Sequence, residues 1–174
     1  MLSGYSGGMN EPGIDYSPRL LHKELTTHFR SGDYLMTELS DGDALSGSSL
    51  INGKFFSIRS AEGENIVVYI GRVNSCRAGG CSNQSLTGIE TESEYFDYFI
   101  IFDSGKRVKL IRVFNYAATH GQEVSIRKWL DQFSGYDGGK ALRVGKEIDA
   151  ISGATISVYA IVADVQEKTM LLNQ

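Results

Sequence analysis

The stretch 94-EYFDYFIIFDSGKRVKLIRVFNY-116 reads as two strands joined by a turn. Both flanks are rich in aromatic and β-branched residues, which suit a pleated, half-buried surface. Between them, Asp103-Ser104-Gly105-Lys106 supplies turn chemistry: Asp and Ser side chains bond nearby backbone, and Gly adopts conformations closed to other residues. An antiparallel hairpin is the expectation. Alternation of period two is clearest from Arg107 to Leu110.

Outward from the hairpin, 54-KFFSIRS-60 and 65-NIVVYIGRV-73 have the same strand-like composition. The polar, glycine-bearing stretch 74-NSCRAGGCSNQSLTGIETES-93 follows them and is too long for a simple turn, a length that goes with function or disorder. Near the start, 17-SPRLLHKELTTHF-29 predicts a helix with Ser17 as cap and Pro18 in its first position. Its Leu21, Leu25 and Phe29 recur every four residues and would face the core. Helical spacing returns in 122-QEVSIRKWLDQF-133, where Ile126, Trp129, Leu130 and Phe133 would form one buried face, and a turn, 134-SGYDGGK-140, comes next. In the last segment Val158, Ile161, Val162 and Val165 repeat that spacing, while Asp164, Glu167 and Lys168 are expected to point to water. Residues 1–16 read as a flexible lead-in and residues 17–174 as a single domain. Antiparallel strands together with separate helices predict an α+β fold, a curved antiparallel sheet with helices packed on it.

Composition narrows the function. With 41% hydrophobic and 10% aromatic residues the chain is of the folded globular kind. A net charge of -4, with Lys and Arg scattered, lacks the basic stripe that nucleic-acid binding needs. No run approaches the ~20 apolar residues of a membrane span, and the first residues lack the basic start and apolar centre of a secretory signal. Cys76 and Cys81, in 75-SCRAGGCS-82, suit a short disulfide loop and equally suit two reduced thiols; without a second Cys/His cluster they are weak grounds for a metal. His22 and His28 lie six apart on the first helix, off a common face, and read as ordinary boundary residues. There is no G-x-S-x-G elbow and no phosphate loop.

One stretch carries more. In 149-DAISGATISVYAIVADV-165 a small hydroxyl-rich turn, Ser152-Gly153-Ala154-Thr155, opens the final helix. A helix N-terminus presents unpaired N–H groups and the positive end of the dipole, so it takes either a side-chain cap or an anion such as phosphate. Gly153 and Ala154 would let a ligand approach the backbone; alternatively Ser152 or Thr155 caps the helix.

Residues Asp149 to Thr155 resemble the D-x-x-[ST]-G-A-T pattern of the FMN-binding domain family, which includes the peripheral flavoprotein subunits of Rnf-type and sodium-pumping NADH:quinone reductase complexes. The order of strands, glycine-rich loop, hairpin, "WLDQF" helix and motif is also similar, over roughly residues 54 to 165. The resemblance implies FMN as cofactor, esterified through its phosphate to Thr155 by a flavin transferase that uses FAD. Asp149 would belong to the transferase recognition pattern, and Ser152, Gly153 and Ala154 would shape the turn. Ser157 is a second hydroxyl, two positions beyond the pattern. Where the family commonly has an E-T-P-G-like turn, this chain has 118-ATHG-121: Thr119 and Gly121 keep their types, Ala118 replaces the acid and His120 the proline. His120 would then either stack on or bond the flavin, or stay in solvent.

By this resemblance the protein is expected to be an electron-transfer carrier rather than a free-standing enzyme, with a flavin transferase and a redox partner protein, such as a membrane electron-transfer complex, as its partners. The expected location is the extracytoplasmic face of the cytoplasmic membrane or the periplasm, with the signal or anchor absent from this chain; a Cys76–Cys81 disulfide would be stable there. Two alternatives keep the same fold: a binding or structural module without flavin, and a small flavin-dependent reductase with its own substrate.

Overall fold

The computed structural model describes residues 13–29, 33–39, 52–75 and 94–174. Among these residues five strands form one open antiparallel sheet in sequence order: β1 (Tyr34–Glu38), β2 (Gly53–Ser60), β3 (Asn65–Asn74), β4 (Tyr95–Phe102) and β5 (Val108–Tyr116). Helix α1 (Arg19–His28) covers one face, placing Leu21, Leu25 and the following Phe29 against Phe56, Ile58, Ile66, Val68, Ile70, Phe99 and Ile101. The long C-terminal helix α3 (Thr155–Leu172) covers the other, with Val158, Ile161, Val162 and Val165 against Tyr69, Phe96, Tyr98 and Ile100. The expected α+β architecture is the one observed.

The hairpin forms where expected. Asp103 Oδ1 accepts the N–H groups of Gly105 at 2.8 Å and Arg107 at 3.0 Å, and the one positive-φ residue of the turn is Lys106, at 59°, rather than Gly105. The alternation from Arg107 to Leu110 does not hold one face. Phe102 pairs with Val108 and Ile101 with Leu110, so Lys109 is an extra residue that sends Val108 to the α3 side and Leu110 to the α1 side.

Three other expectations are corrected, and one strand is added. Ser17 does not cap α1: the N-cap is Pro18, and the Ser17 hydroxyl lies 2.6 Å from His22 Nε2 instead. Segment 122–133 is not one helix. Ile126 is extended (φ -68, ψ 120) and 54% exposed, dividing a 3-10 turn, Gln122–Ser125, from α2 (Arg127–Leu130), after which Asp131–Phe133 returns to 3-10 geometry. Trp129, Leu130 and Phe133 still reach the core. Asp164 and Lys168 do not point to water. Their side chains are 19% and 1% exposed, Lys168 Nζ lies 3.1 Å from Asp164 Oδ1 and 2.9 Å from Glu167 Oε2, and Asp164 accepts from the buried Tyr98 hydroxyl. Burial raises the Asp164 pKa while the Lys168 ammonium opposes that rise. Finally, strand β1, not anticipated from sequence, pairs Tyr34 with Ser60 through Glu38 with Phe56 at the sheet edge.

A buried ion pair ties the sheet together on the α1 side. Arg72 of β3 meets Asp97 of β4 at 2.7 Å (Nε–Oδ1) and 3.0 Å (Nη2–Oδ2), with side chains 4% and 2% exposed. Asn115 of β5 donates to Asp97 Oδ2 at 2.8 Å, and the guanidinium stacks 3.6 Å above the Tyr95 ring. Removing one member strands a charge out of water. Asp97→Ala is therefore expected to lower stability by about 3–5 kcal/mol, read as an earlier urea midpoint; a change under 1 kcal/mol would show that the pair is not the tie described.

Candidate functional site

The site lies where the first turn of α3 meets the turn that leaves β5. Gly153, at φ 84, and a bond from the Ala154 N–H to the Ile151 carbonyl (3.2 Å) fold the chain into the helix. The N-cap is Ala154, and no side chain caps it, so the capping role open to Ser152 and Thr155 is not the one they take. Both hydroxyls are exposed and, among the described residues, have no hydrogen-bond partner. The first helical bond runs from Val158 N–H to the Ala154 carbonyl at 2.9 Å, which leaves the N–H groups of Thr155, Ile156 and Ser157 without helical acceptors.

Ser157 differs sharply from Thr155. It is 3% exposed, its hydroxyl is 2.6 Å from Ser75 Oγ at the end of β3, and Tyr116 Oη lies 3.3 Å away. Thr155 therefore presents its oxygen outward, whereas Ser157 bonds the helix to the sheet.

The 118–121 turn is brought against this same point. Gly121 has φ 84, and a Cβ there would stand 2.6 Å from Ser157 Oγ, so both the backbone angle and the space demand glycine. The Tyr116 hydroxyl donates to the His120 carbonyl at 2.5 Å, and its ring stacks on Phe96 with centroids 5.4 Å apart. Burial raises the Tyr116 pKa, keeping it a neutral donor. Thr119 donates to the Glu94 carboxylate and lies 2.9 Å from His120 Nδ1; Thr119 and His120 are exposed. Gly121 is thus packed on the first turn of α3, while the other two face solvent beside it. Ser75 and Tyr116 had no sequence signal of their own.

Asp149 is held by its main chain from both sides. The Trp129 indole N–H donates to its carbonyl at 2.9 Å, and Gln132 Oε1 accepts its N–H at 2.9 Å. Gln132 Nε2 in turn donates to the Trp129 carbonyl at 3.1 Å. Trp129 is therefore a core residue, as its spacing implies, and also a support for the motif. The Asp149 carboxylate is exposed and, among the described residues, unpartnered. Just upstream, Arg143 and Glu147 form a two-pronged pair at 2.7 and 3.2 Å, and Gly145 N–H bonds the Ile148 carbonyl at 2.8 Å. Cys76 and Cys81 lie outside the described residues.

Residues 94–168 match the family model described as FMN-binding domain. That match indicates FMN as the cofactor. No curated protein matches the chain. The residues present fit such a group: an exposed hydroxyl at Thr155, N–H groups without helical acceptors that suit a phosphate, and a glycine turn that lets one approach.

The Arg143 guanidinium holds the Glu147 carboxyl at about 2, below its ordinary 4.5. A depressed folded-state pKa stabilises the loop at pH above 4.5 and loses that contribution as pH falls toward 2. NMR titration of the Glu147 carboxyl carbon is expected to give a midpoint near 2; a midpoint near 4.5 would show the pair is not formed in solution.

Proposed function

We propose that this protein is an electron-transfer flavoprotein whose FMN is carried covalently on Thr155. The observation that supports this most directly is the opposed setting of the two hydroxyls in the first turn of α3. Thr155 is exposed and, among the described residues, unpartnered, whereas Ser157 is buried and bonded to Ser75. Of these two hydroxyls, that of Thr155 can meet a second protein without unpacking the helix from the sheet.

In the proposed attachment the Thr155 oxygen forms a bond to the FMN phosphorus of FAD, the pyrophosphate bond breaks, AMP leaves, and the hydroxyl proton passes to solvent through the transferase. The phosphodiester keeps one negative charge beside the free N–H groups of α3. Bound flavin supplies reversible electron uptake; this chain anchors it and surrounds the anchor with the Gly121 turn and the exposed Thr119 and His120. The proposed partners are a flavin transferase and a redox protein, such as a membrane electron-transfer complex, on the extracytoplasmic face of the cytoplasmic membrane or in the periplasm. A covalent link keeps the flavin from diffusing away where no free FMN pool replaces it.

Thr155→Val keeps the side chain's shape without its hydroxyl, and Thr155→Ser keeps the hydroxyl. Co-expressed with an active transferase, the Val variant is expected to show no flavin fluorescence in a denaturing gel, and the Ser variant to retain it. Because the position is exposed, stability should change by no more than about 0.5 kcal/mol. Covalent flavin on the Val variant would move the acceptor elsewhere.

A further inference from the structure

We infer that Gln132 and Trp129 are positioning residues for flavin transfer, acting through Asp149; this rests on the reading of Thr155 as acceptor and of Asp149 as part of the pattern the transferase recognises. Within residues 149–155 three chemistry-bearing side chains stand exposed and unpartnered among the described residues, the Asp149 carboxylate and the hydroxyls of Ser152 and Thr155, and Asp149 and Thr155 are the two at its ends. Each is mounted on main chain fixed from beneath. Thr155 begins α3, which is fastened to the sheet through Ser157 and Ser75 at 2.6 Å. Asp149 is held at both backbone groups, by Trp129 and Gln132, each at 2.9 Å. Between these two fixed points the chain is exposed or half-exposed from Ala150 to Gly153 and makes one turn bond, from Ala154 to Ile151.

A partner that reads the carboxylate and reacts at the hydroxyl needs the two at one fixed separation. The support at the Asp149 end is polar and specific. Gln132 is partly buried, and its amide satisfies the Asp149 N–H with one end and the Trp129 carbonyl with the other. Methionine at this position would keep the length and lose both bonds, leaving the Asp149 main chain loose while its carboxylate remains.

The test is a double-mutant cycle on flavin transfer, using purified full-length protein without flavin, the transferase and FAD. Gln132→Met and Asp149→Asn are each expected to lower kcat/KM for transfer by about tenfold, through KM more than kcat, in line with one or two lost hydrogen bonds. The double variant is expected to be no slower than Asp149→Asn alone, because a carboxylate that is gone gains nothing from being held. Trp129→Phe, which keeps an aromatic ring in the core and removes the N–H, should give the same pattern if Gln132→Met fails to fold. Multiplicative losses in the double variant, or an unchanged rate in both support variants, would overturn the positioning role. Additivity with a flavinylated parent defeats this inference alone; a parent that takes no flavin defeats the acceptor reading and this inference together.

Discussion

Strand β4 is buried along its whole length, from Tyr95 to Phe102, and that burial dictates the layers around it. Alternate residues of a strand point to opposite faces, so a strand with no exposed residue needs cover on both sides. Phe99 and Ile101 meet α1, and Phe96, Tyr98, Ile100 and Phe102 meet the α3 layer. The position of α3 follows from this requirement, and the first turn of α3 is where the site is built. At its other end, Lys106 Nζ donates to the Leu172 carbonyl at 2.7 Å, placing a cation at the negative end of the helix dipole. The hairpin turn thus holds the end of α3 opposite the site.

Two polar groups of contacts sit inside these layers. On the α1 side Arg72, Asp97 and Asn115 link three neighbouring strands; on the α3 side Tyr98, Asp164 and Lys168 link sheet to helix. Buried charges are costly unless paired, so each set disfavours any arrangement of its elements that separates the partners. The second set fastens α3 midway between the Ser75–Ser157 contact and the Lys106 bond to the Leu172 carbonyl.

The hairpin was legible because its residues and its turn pointed the same way. Strand β1 was not, because a five-residue edge strand with Leu35 67% exposed carries no strong apolar pattern. The break at Ile126 was hidden, since Trp129, Leu130 and Phe133 meet the core whether or not the helix runs continuously. Lys168 looked like a surface residue by type, and only its tertiary partners explain its burial. The motif at 149–155 was readable as a local pattern. Its supports were not: Ser75 reaches Ser157 across 82 positions, and nothing in a lone serine or glutamine announces the backbone it will meet.

The match of residues 94–168 to the FMN-binding domain model and the exposed hydroxyl at Thr155 meet in the central proposal, that this protein holds its flavin by a phosphoester at the start of α3. Intact mass of the protein after co-expression with an active flavin transferase, followed by peptide mapping, tests it most directly. The account predicts a gain of one FMN less one water, located on the peptide that contains Thr155. An unmodified mass, with the transferase shown active on another substrate, would contradict it.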